Sequence, residues 1–355
     1  MSRKFCGPRI WVAKILSLVW IAIFGIASGP AALMAATPEH LPGFERIEIS
    51  GSPIRFSRLQ GLSETFGRLT FRGGLVLTSP DTDFGGLSGL GISAEGDRIL
   101  AITDRGYLYS AQLDYRDGRL VGISEGAKSS LKGSKGQPLS DESKAWHDAE
   151  GLTLGPRRLK GPLWVSFERR HRIEVYDFGR LGADARAKRT RLPAPLNRNP
   201  RNSGVEALAR FGPKSAYNGA LLTFSENPRS GGKISGYILG GPRPGPIWLS
   251  APGGYSATGI AFLPGGDLVV LERRLGNLFD FSIRLRRIAA ATIQPGATLA
   301  GEVLFEGGLA YQIDNLEGIA VHETDAGEIR LTLVSDDNFS PIQQTLLLQF
   351  AITVQ

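Results

Sequence analysis

From Asp148 to Gly155 the chain reads DAEGLTLG, and after a polar turn Leu163 to Arg170 reads LWVSFERR. The pair is a short apolar strand opened by an acidic residue and a glycine, then a second apolar strand closed by an acidic residue and arginine. The unit returns four more times. It reads GLSGLGIS and RILAITDR from Gly86, GVEALARF and ALLTFSEN from Gly204, ATGIAFLP and DLVVLERR from Ala257, and NLEGIAVH and RLTLVSDDN from Asn315. Aligned on Ser88, Glu150, Glu206, Thr258 and Glu317, the copies are 62, 56, 52 and 59 residues apart.

Each copy runs on into a third strand-like segment: GYLYSAQLDY, RIEVYDFG, KISGYILG, LFDFSIRLRRI and TLLLQFAITV. A period of this length, built of successive antiparallel strands, predicts an all-β chain folded as a β-propeller of four-stranded blades. The stretch RLTFRGGLVLTS, Arg68 to Ser79, is expected to complete a sixth blade, closed by strands from both ends of the chain. A large β-sandwich is the rival, but a sandwich does not require internal repetition. Glu125–Ser143 and Asp184–Ser203, rich in polar residues, Gly and Pro, read as long surface loops leaving one side of the propeller.

Residues 1–36 carry Arg3, Lys4, Arg9 and Lys14, then an apolar run from Ile15 to Ile26, then small residues through Ala36. That order predicts a secretory signal peptide and a periplasmic or secreted single domain over 37–355, with no stable membrane span after cleavage. An uncleaved anchor is the alternative. The one cysteine, Cys6, lies inside the expected signal, so the remainder has no disulfide, thiolate ligand or cysteine nucleophile. Without residues 1–36, 37 basic residues stand against 34 acidic ones, which gives no reason to invoke nucleic acid. No P-loop or dinucleotide fingerprint occurs.

The repeated acids carry the chemistry. First strands begin at Ser88, Glu150, Glu206, Thr258 and Glu317, and second strands end at Asp104, Glu168, Glu226, Glu272 and Asp336. Antiparallel neighbours bring the start of one strand beside the end of the next, so eight carboxylates are expected to ring one mouth of the central channel. Such crowding needs compensation: a hard cation such as calcium, which takes six to eight oxygen ligands, or arginine. Arg105, Arg169 and Arg273 directly follow acidic strand ends and are candidates for binding an anionic substrate. Acids at strand ends also cap turns or pair with a neighbouring arginine for stability alone. His147-Asp148 is a candidate acid–base pair, although a loop histidine is commonly only solvated.

The segments DAEGLTL, LWVSFERRHRIEVYDF, GVEALA, LLTFSEN, TGIAFLPGGDLVVLERR, DNLEGIAVHE and LVSDDNFSPIQQTLLLQF together resemble the bacterial exported proteins grouped by phytase-like esterase activity. The resemblance runs from about Gly86 to the C-terminus. It implies a propeller-like fold, export and hydrolysis of ester bonds, phosphate esters included, but no catalytic motif transferable residue by residue. The resulting expectation is a metal-dependent hydrolase of a small anionic or ester substrate. Glu150, Glu206 and Glu317 would hold calcium, with Asp104, Glu168, Glu226, Glu272 and Asp336 completing the shell. A sugar-lactone hydrolase and a non-catalytic periplasmic binding propeller are the alternatives.

Overall fold

The structure, a computed structural model, describes residues 41–59, 63–193, 204–228, 231–276 and 281–352. The segment read as a signal peptide lies outside them. Among the described residues the strands form five sheets, each a blade with an inner strand on the central channel. The inner strands are Leu87–Ile92, Ala149–Leu154, Val205–Arg210, Ser256–Phe262 and Leu316–Glu323, for blades 1 to 5. Each pairs antiparallel with the second repeat strand, and the third strand follows outside it. No described helix is long and apolar enough to cross a membrane.

The propeller has five blades, not six. The N-terminal strand Leu69–Thr78 does not open a blade of its own. It pairs antiparallel with the last strand, Leu346–Ile352, and becomes the fourth strand of blade 5, with Ser50–Pro53 outside it. The C-terminal repeat brings only three strands, and pairing its open edge with the N-terminal strand closes the ring. Blade 4 is completed by Glu302–Gly307. The expected loop at Glu125–Ser143 also starts later than its composition suggested, since Arg119–Ser130 is a blade strand. Lys188–Thr190, inside the second expected loop, is likewise the outer strand of blade 2. Outer strands face water and carry polar residues, which hides them from a reading based on hydrophobicity.

The core lies between blades. Within the second strand of blade 4, Leu268 and Val270 pack in the cluster shared with blade 3, while Val269 and Leu271 pack in the cluster shared with blade 5. Blade 1 divides in the same way: Leu100 and Ile102 face blade 2, and Ile99 and Ala101 face blade 5. Alternate side chains therefore meet different neighbours, and both sets are buried. This is why RILAIT and LVVL are unbroken apolar runs rather than alternating ones.

The inner strands share one irregularity. In each, the register against the second strand slips at the aligned residue: Ser88, Glu150, Glu206, Thr258 and Glu317 sit in β-bulges. Glycine follows in four of them because neighbouring inner strands come too close for a side chain. A Cβ on Gly89 would lie 2.9 Å from the Glu150 carbonyl oxygen, and one on Gly259 would lie 2.7 Å from that of Glu317. In blade 3 the position is Ala207, the largest residue found there.

Candidate functional site

Five bulges at one level put five side chains around the start of the channel. Ser88, Glu150, Glu206, Thr258 and Glu317 line a constriction of only ≈ 10 Å³, room for about one water molecule. A second ring comes from the residues that follow the partner of the last residue before each bulge: Asp104, Glu168, Glu226, Arg273 and Asp336. Their equivalence follows from the register. Leu87, Ala149, Val205, Ala257 and Leu316 pair with Thr103, Phe167, Ser225, Glu272 and Ser335.

That register corrects the alignment for blade 4. Glu272 corresponds to Thr103 and Ser225, not to the acids, and Arg273 occupies the acidic position. Adjacent strand residues point to opposite faces, so the one-residue difference takes Glu272 out of the ring. It is fully buried within blade 4, where it accepts from Arg284 Nε at 2.8 Å and Arg286 Nε at 2.6 Å. Its role there is to neutralise two buried guanidinium groups. Arg273, expected to bind substrate, instead donates to Glu226 at 2.8 Å and to Glu317 at 2.9 Å, and also to Asn315. It bridges blades 3, 4 and 5 from inside the ring.

The remaining acids do come together, and Asp148 joins them from the position just before the inner strand of blade 2. The cluster numbers eight carboxylates: Asp104, Asp148, Glu150, Glu168, Glu206, Glu226, Glu317 and Asp336. Among the described residues, Arg169, Lys144 and Arg273 touch it. Arg169 Nε donates to Asp148 at 3.0 Å, Lys144 Nζ lies 3.3 Å from Asp104 and 3.5 Å from Asp148, and Arg273 is the third. Lys144 stands four residues before Asp148 in a single helical turn, Lys144–His147, a spacing the sequence reading did not use. Asn315 was missed as well. It occupies in blade 5 the position of Asp148 in blade 2, and its side-chain amide donates to Glu317 at 2.8 Å.

An excess of negative charge in a confined space raises proton affinity. Burial, then the charges of Glu206 and Glu317, hold Glu150 well above the usual carboxylate range. Glu206 is raised in the same way by burial, Glu226 and Glu168. Glu317 is raised by burial, with Arg273 opposing. Burial and the neighbouring Asp148 push Glu168 up to about 7, and burial with Glu317 pushes Asp336 up to about 8.

Asp148, Glu150 and Glu168 each present a carboxylate oxygen within 4.8 Å of the other two. One Oδ of Asp104 is buried with no hydrogen-bond partner among the described residues. A donor set made only of oxygens, in excess over nearby cations, suits a hard divalent ion and not a metal that prefers nitrogen or sulfur.

The other candidates sit nearby with different partners. His147 Nδ1 is 2.7 Å from the main-chain oxygen of Asp104. A carbonyl can only accept, so Nδ1 carries the proton, and Nε2 of the neutral ring holds the lone pair. The Asp148 carboxylate is meanwhile held by Arg169 and Lys144. Arg105 stacks over the ring of Phe339, 3.2 Å from its centroid.

A five-bladed propeller whose channel opens in a ring of carboxylates has the form of an oxygen-ligand metal site on a rigid scaffold. Over residues 82–339 the chain matches the family model Phytase-like, described as esterase-like activity of phytase, and it belongs to that family. No curated protein matches the chain.

Proposed function

We propose that this protein is an exported, calcium-dependent hydrolase of phosphate or carboxylate esters that works at the acidic mouth of the channel. The observation that carries the reading is the approach of Asp148, Glu150 and Glu168 to within 4.8 Å, in a chain of the phytase-like family. Asp148, Glu150 and Glu168 would hold the ion, with Glu206, Glu317 and Asp104 beside them. A bound divalent ion would polarise an ester oxygen and lower the pKa of water, so no side-chain nucleophile is needed; Ser124, in the Gly-x-Ser-x-Gly string Gly122–Gly126, lies inside the strand Arg119–Ser130 and not on a strand-to-helix elbow.

The chain's own side chains supply the rest. Glu168, pushed up to about 7 in the ion-free chain, would give up its proton to hold the ion. The Nε2 lone pair of His147 would then accept the proton of the attacking water. Arg169, whose side chain is partly exposed, and Arg105 supply positive charge for an anionic group, while Arg273 stays in the ring and balances Glu226 and Glu317. The basic, apolar and small-residue order of residues 1–36 supports export.

The test is hydrolysis of p-nitrophenyl phosphate and p-nitrophenyl butyrate by the purified chain, with calcium and with a chelator, for wild type and Glu150→Gln. The expected result is turnover of one ester that needs calcium and disappears in the variant, with circular dichroism unchanged. Turnover unaffected by the chelator, or retained by Glu150→Gln, would overturn the reading.

A further inference from the structure

The inner strands carry their carboxylates at the beginning, and their far ends enclose something chemically different. There a cavity of ≈ 640 Å³ opens, within the range of small-molecule sites. Its wall is apolar, formed by Ile92, Leu154, Phe211, Phe262 and Ile319. Set into that wall are Arg158 and Arg210, and Glu323, the only carboxylate among the described lining residues, is exposed.

Both guanidinium groups lack the usual compensation. No ion pair or side-chain hydrogen bond from either to a carboxylate exists among the described residues, and burial alone depresses both below the ordinary arginine value. Arg210 ends the inner strand of blade 3 with its guanidinium 5.2 Å from the Trp164 ring, and its Nε is buried without a hydrogen-bond partner. Arg158 sits in the turn between the first two strands of blade 2 with φ of 51°, a conformation unfavourable for a side chain with a Cβ. Both side chains are half-buried, and a ligand that meets their unfilled donors would offset the cost of that partial burial. Strained backbone of this kind collects at ligand clamps.

We propose that this cavity is a second ligand site, separate from the carboxylate ring, for a small amphipathic anion. Its apolar body lies against Ile92, Leu154, Phe211 and Phe262, and its carboxylate or phosphate head meets Arg158 and Arg210. Arginine suits either head group because its planar donors match two oxygens at once.

Isothermal titration of the full chain with octanoate, octyl phosphate and 1-octanol tests the site, since the three share a tail and differ in the head. The two anions are expected to bind at least about tenfold more tightly than the alcohol. Replacing both arginines, Arg158→Gln with Arg210→Gln, is expected to remove that advantage and leave alcohol binding unchanged. Ala94→Trp narrows the exposed edge of the same cavity with both charges intact, and it is expected to weaken all three ligands. Preference between octanoate and octyl phosphate identifies the head group. Failure of the wild type to bind either anion, equal binding of the alcohol, or undiminished anion binding by the double variant in its folded state would each overturn the proposal.

Discussion

The guanidinium of Arg273 donates to the carboxylate of Glu317 at 2.9 Å, joining blade 4 to blade 5 at the point where the other four blades carry an acid. The same group reaches Glu226 of blade 3. One cation thus satisfies acids from both neighbouring blades. Arg273→Met should destabilise the protein by about 2–3 kcal/mol, below the range for a fully buried pair, because it leaves two part-buried carboxylates uncompensated. Urea unfolding measures this. A loss below about 1 kcal/mol would mean that the ring tolerates its own charge.

Calcium should partly replace such compensation. Thermal unfolding with and without calcium is expected to show stabilisation of about 2.7 kcal/mol when the ion is at a hundred times its Kd. Asp148→Asn and Glu168→Gln should abolish that increment, since both residues contribute to the 4.8 Å oxygen cluster. If calcium stabilises both variants as much as wild type, the ion binds elsewhere.

The pH dependence of the ion-free protein follows from the raised carboxyls. Asp336 at about 8 and Glu168 at about 7 keep protons in the folded state that an unfolded chain releases near pH 4. Between those values the folded state binds more protons, so stability falls as pH rises from about 4 through about 8. Calcium displaces the same protons, so its apparent affinity should rise with pH over that interval. Stability curves against pH, with chelator and with calcium, check both signs.

His322 works in the opposite direction. It is buried, and its burial and the charges of Arg330 and Arg158 depress it to about 4. The unfolded chain gains a proton near 6.5, so stability present above that pH is lost as pH falls toward 4, by up to about 3 kcal/mol. His322→Asn should flatten this acid limb. An unchanged limb would assign acid unfolding to other groups.

The glycines after the bulges are a packing requirement. Gly151→Ala would drive a Cβ into the Glu206 carbonyl of the next inner strand and should cost about 3 kcal/mol. Gly212→Ala, where a Cβ meets nothing within 4 Å, should be almost neutral. Equal effects in denaturant unfolding would show that the inner strands can separate freely.

Much of the site was legible because repetition exposes it. The recurrence of Glu-Gly or Glu-Ala at Glu150, Glu206 and Glu317 marks a bulge and the close approach behind it, and the structure puts all three around the channel. Glu272 was not legible in the same way. It and Arg273 are both plausible strand-end residues, and only the paired strand shows that Ala257, not Ser256, faces Glu272. Lys144 was hidden because its bond to Asp148 depends on a four-residue helical turn too short to leave a pattern.

The amino-acid sequence by itself determined that the chain is an all-β repeat whose blades bury both faces, since apolar runs and glycine spacing act locally and survive in a one-dimensional reading. The number of blades, the place of the N-terminal strand and the membership of the ring were decided only in three dimensions. Each depends on which edges pair: closing at five takes Leu69–Thr78 as the partner of Leu346–Ile352. Strand register then decides, one residue at a time, whether a carboxylate faces the channel or a buried arginine.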